Sequence, residues 1–498
     1  MRGIKKLHHL IQSLSKTEKR YISIELSKQK SKKGEIDLKL FDLLKKQDTI
    51  NEDKIVSYPE FNSTLKLIIR SKYLFDFILR CLIDYNHSKE VEIAIGNHIR
   101  IIKTFILKGL HEYTQYPLSK AQKLAEKYED LYRLGILCTL RKVIATRSSA
   151  SHGDFFKEMQ KIELQENNVH EKIINLNSYN NYLNHLSVAL NKNSGSRLDT
   201  DTMEILKSTA SSALFRDEKN ALTQKARIVF HEVNAIYSER VDHDYNRALL
   251  HTEKQMELIK NLESYQKTNS PSHITCLKHI CIFAAETRQL PKAKAALQQL
   301  KLLYRDKSIS KNIFERSLVF LGQIEAETRL MLIDSRTDGL DITQSKVNEE
   351  IEFFDKIFDG ESKMILYFNL SLRLLLVNDF KNAFRWLEKI IHEHQGMRVD
   401  ILQDAHVLSL VCIYEIDSVN LFQSRERSYL RHYQQDKHHS IHSKLIHLVA
   451  RIYQDKNNTE HVRKNLQELE SFIVDGVKKN NIDHLLGETM LAWIRKKK

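Results

Sequence analysis

From Asn378 to Ile391 the chain reads NDFKNAFRWLEKII, and its apolar positions Phe380, Ala383, Phe384, Leu387, Ile390 and Ile391 advance by three, one, three, three and one. Such steps put every apolar side chain on one face of an α-helix. The preceding stretch, MILYFNLSLRLLLV (Met364–Val377), is apolar almost all round. That predicts a helix buried between neighbours. Asn378 and Asp379 stand between the two as a turn and an N-cap. Residues 364–391 therefore predict an antiparallel helix pair. Two helices this apolar cannot cover each other, so further pairs are expected on both sides.

An alanine recurs in the second helix. Ala248 stands in YNRALLHTEKQMELI, Ala293 in LPKAKAALQQLKLLY and Ala121 in YPLSKAQKLAEKYEDLY. Ala248 and Ala293 are 45 residues apart, and Ala293 and Ala383 are 90, two such steps. The intervening unit is expected in SLVFLGQIEAETRLML and SKVNEEIEFFDKIF, with Asp334–Thr343 as a longer polar turn. Twelve residues before the four alanines stand Gly109, Ile236, Cys281 and Ser371, three of them small. A small residue in each helix lets the two axes approach closely.

This spacing resembles that of tetratricopeptide repeats. In YFNLSLRLLLVNDFKNAFRWLEKI, Asn369-Leu370-Ser371 matches the first-helix segment, and Asp379–Ala383 matches the turn and second-helix start. The resemblance extends loosely over residues 95–470. The step is longer than the family's 34 residues, the repeat-ending proline is absent, and the first-helix tryptophan is missing. The resemblance implies an all-α fold, an irregular tetratricopeptide-like α-solenoid of antiparallel helix pairs. It also implies a protein-interaction scaffold whose concave groove binds a peptide or helix of a partner. Gly109, Ala121, Ala248, Cys281, Ala293, Ser371 and Ala383 are the expected packing positions of the repeats.

The first 85 residues follow a different pattern. SLSKTEKRYISIEL carries Ser15 with Glu18 three later, a capping box. IDLKLFDLLKKQ predicts a helix, DTINEDKIVSYPEF a polar connection with a short helix, and STLKLIIRSKYLFDFILRCLIDY a long amphipathic helix. Two readings stand for this module: a helical cap closing the array, or a helix-turn-helix-like domain. Bacterial peptide-sensing regulators join such a domain to a tetratricopeptide array, and the chain resembles them in layout only. No cluster of Asn, Arg or Gln opens a helix here to read base edges. The expected division is a basic N-terminal module at 1–88, the repeat array at 89–490 and a basic tail at 491–498.

Composition supports long helices with short turns, since 498 residues hold only 13 Gly and 4 Pro. Five cysteines (81, 138, 276, 281 and 412) form no CxxC and sit in apolar runs, as core residues of a reducing compartment would. No secretory h-region opens the chain and no run of about 18 apolar residues occurs, so a cytoplasmic protein is expected. The formal charge is +14. Residues 1–50 hold 13 Lys/Arg against 6 Asp/Glu, the last four residues are all basic, and the other 444 hold 61 against 58. The basicity thus belongs to the ends. Lys28, Lys30, Lys32, Lys33, Arg495, Lys496, Lys497 and Lys498 are the candidate anion contacts, and a nucleic-acid-binding regulator is the alternative function.

Signals for catalysis are nearly absent. No phosphate-cradling, dinucleotide-binding or nucleophile-elbow motif occurs, and no cofactor or enzymatic activity is expected. The best metal candidate is weak. His438 and His442 in DKHHSIHSKLIH share a helical face, but no HExxH glutamate accompanies them.

Overall fold

The computed structural model describes residues 2–497, apart from 48–49, 52–54, 62, 87–90, 149–151, 193–199, 263–269, 307–311, 335–343, 355–356, 394–397, 417, 434–439 and 480. Every regular element among the described residues is a helix, so the chain is all-α. It divides into two compact units, Met1–Glu171 and Lys172–Lys498. The division does not fall near residue 88, where the sequence pattern changes.

The first unit opens with α1 (Arg2–Ser13), α2 (Lys16–Ser27), α3 (Lys32–Lys45) and α4 (Thr64–Asn86). The capping box forms as its residues dictate. Glu18 N donates to Ser15 Oγ at 3.2 Å, and Ser15 N donates to Glu18 Oε2 at 2.8 Å. Leu7, Ile11, Ile22, Phe41, Leu74 and Ile78 make the core of these four helices. Next come α5 (Val91–Leu107), α6 (Gln115–Lys127), α7 (Leu131–Ser148) and α8 (His152–Lys192), within which the unit boundary falls. A separate core of Ile95, Ile102, Ala121, Ala125 and Leu137 joins α5, α6 and α7.

The second unit continues with α9 (Thr200–Ser211), the one-turn α10 (Ala213–Arg216), α11 (Gln224–Arg240), α12 (Tyr245–Asn261), α13 (Ser270–Glu286) and α14 (Leu290–Arg305). Then follow α15 (Ile313–Ile333), α16 (Gln344–Phe354), α17 (Gly360–Leu376), α18 (Phe380–Glu393), α19 (Val399–Ile416) and α20 (Val419–Tyr433). The last three are α21 (Ser440–Gln454), α22 (Thr459–Lys478) and α23 (His484–Lys497). Consecutive helices pack as pairs: α11 on α12, α13 on α14 and α17 on α18. The first helices of successive pairs also touch, α13 on α15, α15 on α17, and α17 on α19. A helix with neighbours on several sides must be apolar on several sides. Accordingly, α17 buries Met364, Leu366, Tyr367, Phe368, Leu370 and Leu372 in succession.

The turns inside three pairs share one geometry. His243 (φ 51°), Arg288 (φ 60°) and Asn378 (φ 64°) are left-handed, and each precedes its alanine (Ala248, Ala293, Ala383) by five residues. In two of them a six-residue hydrogen bond closes the turn, Gln289 N to Ala284 O at 2.7 Å and Asp379 N to Leu374 O at 2.8 Å. Asp379 then caps α18, accepting from Asn382 N at 3.2 Å. Position 338, one 45-residue step beyond Ala293, lies outside the described residues, as does most of the polar turn expected at Asp334–Thr343.

Gly109 departs from its expected role. It lies beyond the end of α5 in a left-handed conformation (φ 72°), and a Cβ placed on it would meet nothing within 4 Å. Its smallness serves helix termination, not interhelical packing.

Candidate functional site

Helix α23 packs across three first helices, α15, α17 and α19, as well as on its predecessor α22. Its sequence suits burial on more than one side: Leu486, Thr489, Met490, Leu491, Trp493 and Ile494 are all buried. Gly487 permits the close approach to α22, since a Cβ there would come within 2.4 Å of Val477 Cγ2.

Polar anchors fix the helix at both ends. Near its start, the His484 ring lies 3.2 Å from Arg329 Nη1 and 3.7 Å from Glu286 Oε1. Near its end, Trp493 Nε1 donates to Glu415 Oε1 at 2.7 Å, and Lys497 Nζ donates to Glu415 Oε2 at 2.8 Å. Lys496 Nζ donates to the Leu376 carbonyl at 2.6 Å and to Asn378 Oδ1 at 3.0 Å. The Leu376 carbonyl ends α17, where a cation is favoured by the helix dipole and satisfies an orphan acceptor. These contacts correct the reading of residues 491–498 as a basic tail. Arg495, Lys496 and Lys497 form the last turn of a packed helix, and Lys498 lies outside the described residues.

Two of the helices that seat α23, α15 and α17, also carry a buried charge network. Glu327 on α15 meets Lys301 on α14 at 3.1 Å and Arg373 on α17 at 2.9 Å. Arg373 and Glu327 have side chains 1% and 3% exposed, which makes the pairing obligatory. Burial lowers the Arg373 pKa, and Glu327 opposes that shift. A second pair, Arg329 and Glu286, lies at 2.8 Å between α15 and α13. Burial works against the Arg329 charge, but Glu286, Tyr245, Asp483 and Glu239 together hold its pKa above the ordinary value.

Two further clusters contain histidine. His231 Nδ1 on α11 and His251 Nδ1 on α12 are 3.0 Å apart, and Glu218 Oε2 lies 3.4 Å from the other His231 nitrogen. Burial depresses both rings, His251 to about 4 with His231 contributing. Only one of the facing nitrogens can carry a proton in that contact. Asp404 on α19 receives His442 Nε2 of α21 at 2.9 Å. Burial pushes the Asp404 carboxyl up to about 7 against the opposing influence of His442. His442 is thus committed to a carboxylate, while His438 lies outside the described residues. Among the described residues no group of three or more His, Cys, Asp and Glu is placed to hold a metal ion.

Of the expected packing residues, Ala121, Ala248, Cys281, Ala293, Ser371 and Ala383 are all fully buried. Cys281 lies on α13 and Ala293 on α14, and Ser371 and Ala383 lie on α17 and α18, so each marker pair sits on two contacting helices. All five cysteines are buried and unbonded. The basic run at 28–33 lies at the end of α2 and the start of α3: Lys28 pairs with Glu25 at 2.6 Å, while Lys30, Lys32 and Lys33 are exposed. Sequence reasoning missed the seat of α23 and the Lys301–Glu327–Arg373 network. A signal for the network existed in Arg373, the one charge in the apolar run Met364–Val377, but its partner Glu327 lies on another helix among several other charged residues.

No helix among the described residues is long and apolar enough to cross a membrane. No protein-family model matches the chain, and no curated protein or solved structure matches it either.

Proposed function

We propose that the chain is a non-catalytic protein–protein interaction scaffold, an irregular tetratricopeptide-like α-solenoid whose first helices receive a helix or peptide of a partner. The observation that supports this reading is the seat of α23. Three successive first helices, α15, α17 and α19, accept an amphipathic helix through apolar contact, a tryptophan anchor and charged ends. That is the chemistry of helix-in-groove recognition. In this reading the chain fills part of its receptor surface with its own last helix. The partner uses the earlier first helices, α11 and α13, which belong to the same series of pairs.

The test is capture of partners from native lysate by the tagged full-length chain at moderate salt, with nuclease present. The expected result is a protein partner retained after nuclease and after replacement of Lys28, Lys30, Lys32 and Lys33 by serine. Hydrogen exchange of that complex should then show new protection on α11 and α13. Recovery of nucleic acid that is lost with the four lysines would overturn the scaffold in favour of a nucleic-acid-binding regulator, because phosphate contacts dominate such binding.

A further inference from the structure

Helix α4 buries one side and leaves the other open. Leu67, Leu74, Ile78 and Cys81 face the core shared with α1, α2 and α3. On the opposite side Leu65, Ile69, Leu79 and Ile83 are 67%, 47%, 41% and 61% exposed. Lys72 and Asp76 are exposed between them, and neither has an ion-pair partner among the described residues. At 100° per residue these six positions fall within a sector of roughly 80°.

We propose that this face of α4 is the contact of a symmetric dimer, in which it meets the same face of a second copy of this chain, antiparallel about a two-fold axis. The order of residues carries the inference. A two-fold axis perpendicular to the helix near position 74 places Leu65 against Ile83, Ile69 against Leu79 and Lys72 against Asp76. Each pairing occurs twice, once on each side of the axis, as an isologous interface requires. All six residues find a matching partner in this single register: apolar meets apolar toward the ends, and opposite charges meet at the centre. A parallel arrangement would instead set Lys72 against Lys72 and Asp76 against Asp76, which is repulsive. A membrane surface is a poor occupant too, because it would take the two central charges into the apolar layer along with the leucines and isoleucines. An unrelated partner would need an acid and a base at matched spacing between apolar residues, and a second copy supplies both.

The experiment is sedimentation of the full chain over a range of concentrations, with variants at the two central charges. The wild type should show a reversible monomer–dimer equilibrium that weakens with salt. Lys72→Asp places two carboxylates opposite each other on both sides of the axis, and Asp76→Lys does the same with ammonium groups. Each should weaken dimerisation by at least roughly tenfold. The double variant K72D/D76K should recover most of the loss, because it exchanges the charges without altering the register. All of these positions are exposed, so thermal unfolding measured at a concentration where the wild type is monomeric should fall within about 2 °C of the wild type, a margin that covers the like-charge i,i+4 pair each single variant makes in its own helix, and this separates a lost interface from a lost fold. A wild type that stays monomeric at about 100 µM overturns the proposal. So does a dimer indifferent to K72D, or a double variant no better than the singles.

Discussion

Helices α17 and α4 are both rich in apolar residues, yet they meet different fates. In α17 the run from Leu366 to Leu375 is buried, and its arginine, Arg373, is drawn inside and neutralised by Glu327. In α4 the apolar residues divide into a buried side and an exposed side, and the central charges Lys72 and Asp76 stay in solvent. Around α17 the second unit supplies neighbours from within, the last being α23. The first unit closes two smaller cores and leaves Leu65, Ile69 and Ile83 at the surface. An apolar residue on a helix states that something should cover it. Only the tertiary contacts say whether that cover is part of the same unit.

The sharpest way to break this contrast is to remove Glu327. E327A leaves Arg373 buried without its carboxylate and should cost the second unit about 3–5 kcal/mol, read by chemical denaturation. If the loss is negligible, the charge network is not what joins α14, α15 and α17. Next in size, Ala383→Leu forces extra methyl groups between fully packed helices and should cost about 1–3 kcal/mol in the same assay.

A pH series sharpens the picture of buried polar groups. The rings of His231 and His251 have folded pKa values below the ordinary 6.5. Their neutral burial is harmless above pH 6.5. As the pH falls toward about 4 the unfolded chain takes up protons that the folded chain refuses, and stability is lost. His251→Gln should flatten that fall in a melting series. Asp404 acts with the opposite sign. Its carboxyl is raised to about 7, so its contribution is present at acid pH and lost as the pH rises toward 7.

The two smallest effects separate backbone strain from surface chemistry. His243 is exposed and left-handed, so His243→Gly should stabilise the second unit by about 1 kcal/mol. Leu65→Ser on the open side of α4, measured where the chain is monomeric, should change stability by less than about 0.5 kcal/mol. A large loss from Leu65→Ser would mean that α4 is covered within its own chain.

Local features were the most legible in the sequence. The capping box at Ser15 and Glu18, the Asp379 cap and the single buried face of α18 each depend on residues within a turn or two of one another. The alanines at 248, 293 and 383, singled out by their spacing, are fully buried. Gly109 matched the same spacing by its size alone, and only its backbone conformation reveals the helix stop. The seat of α23 was not legible because the charges at 495–498 follow directly on the apolar set Leu486, Met490, Trp493 and Ile494 and give the segment the pattern of a basic tail. Its anchors, Glu415, Leu376 and Arg329, are dozens of residues away in the chain, and no local pattern announces them.

The position of α23 also bears on how the protein is made. Ile416 ends α19, the last of the three helices that seat α23, and 67 residues intervene before His484 opens α23. At about 5–20 residues per second, a ribosome needs roughly 3–13 s to cover that distance. Throughout that interval the surfaces of α15, α17 and α19 that α23 will cover are without it. The nascent chain therefore passes through a period in which a chaperone, or a partner with a matching helix, can reach a site that the finished molecule keeps to itself.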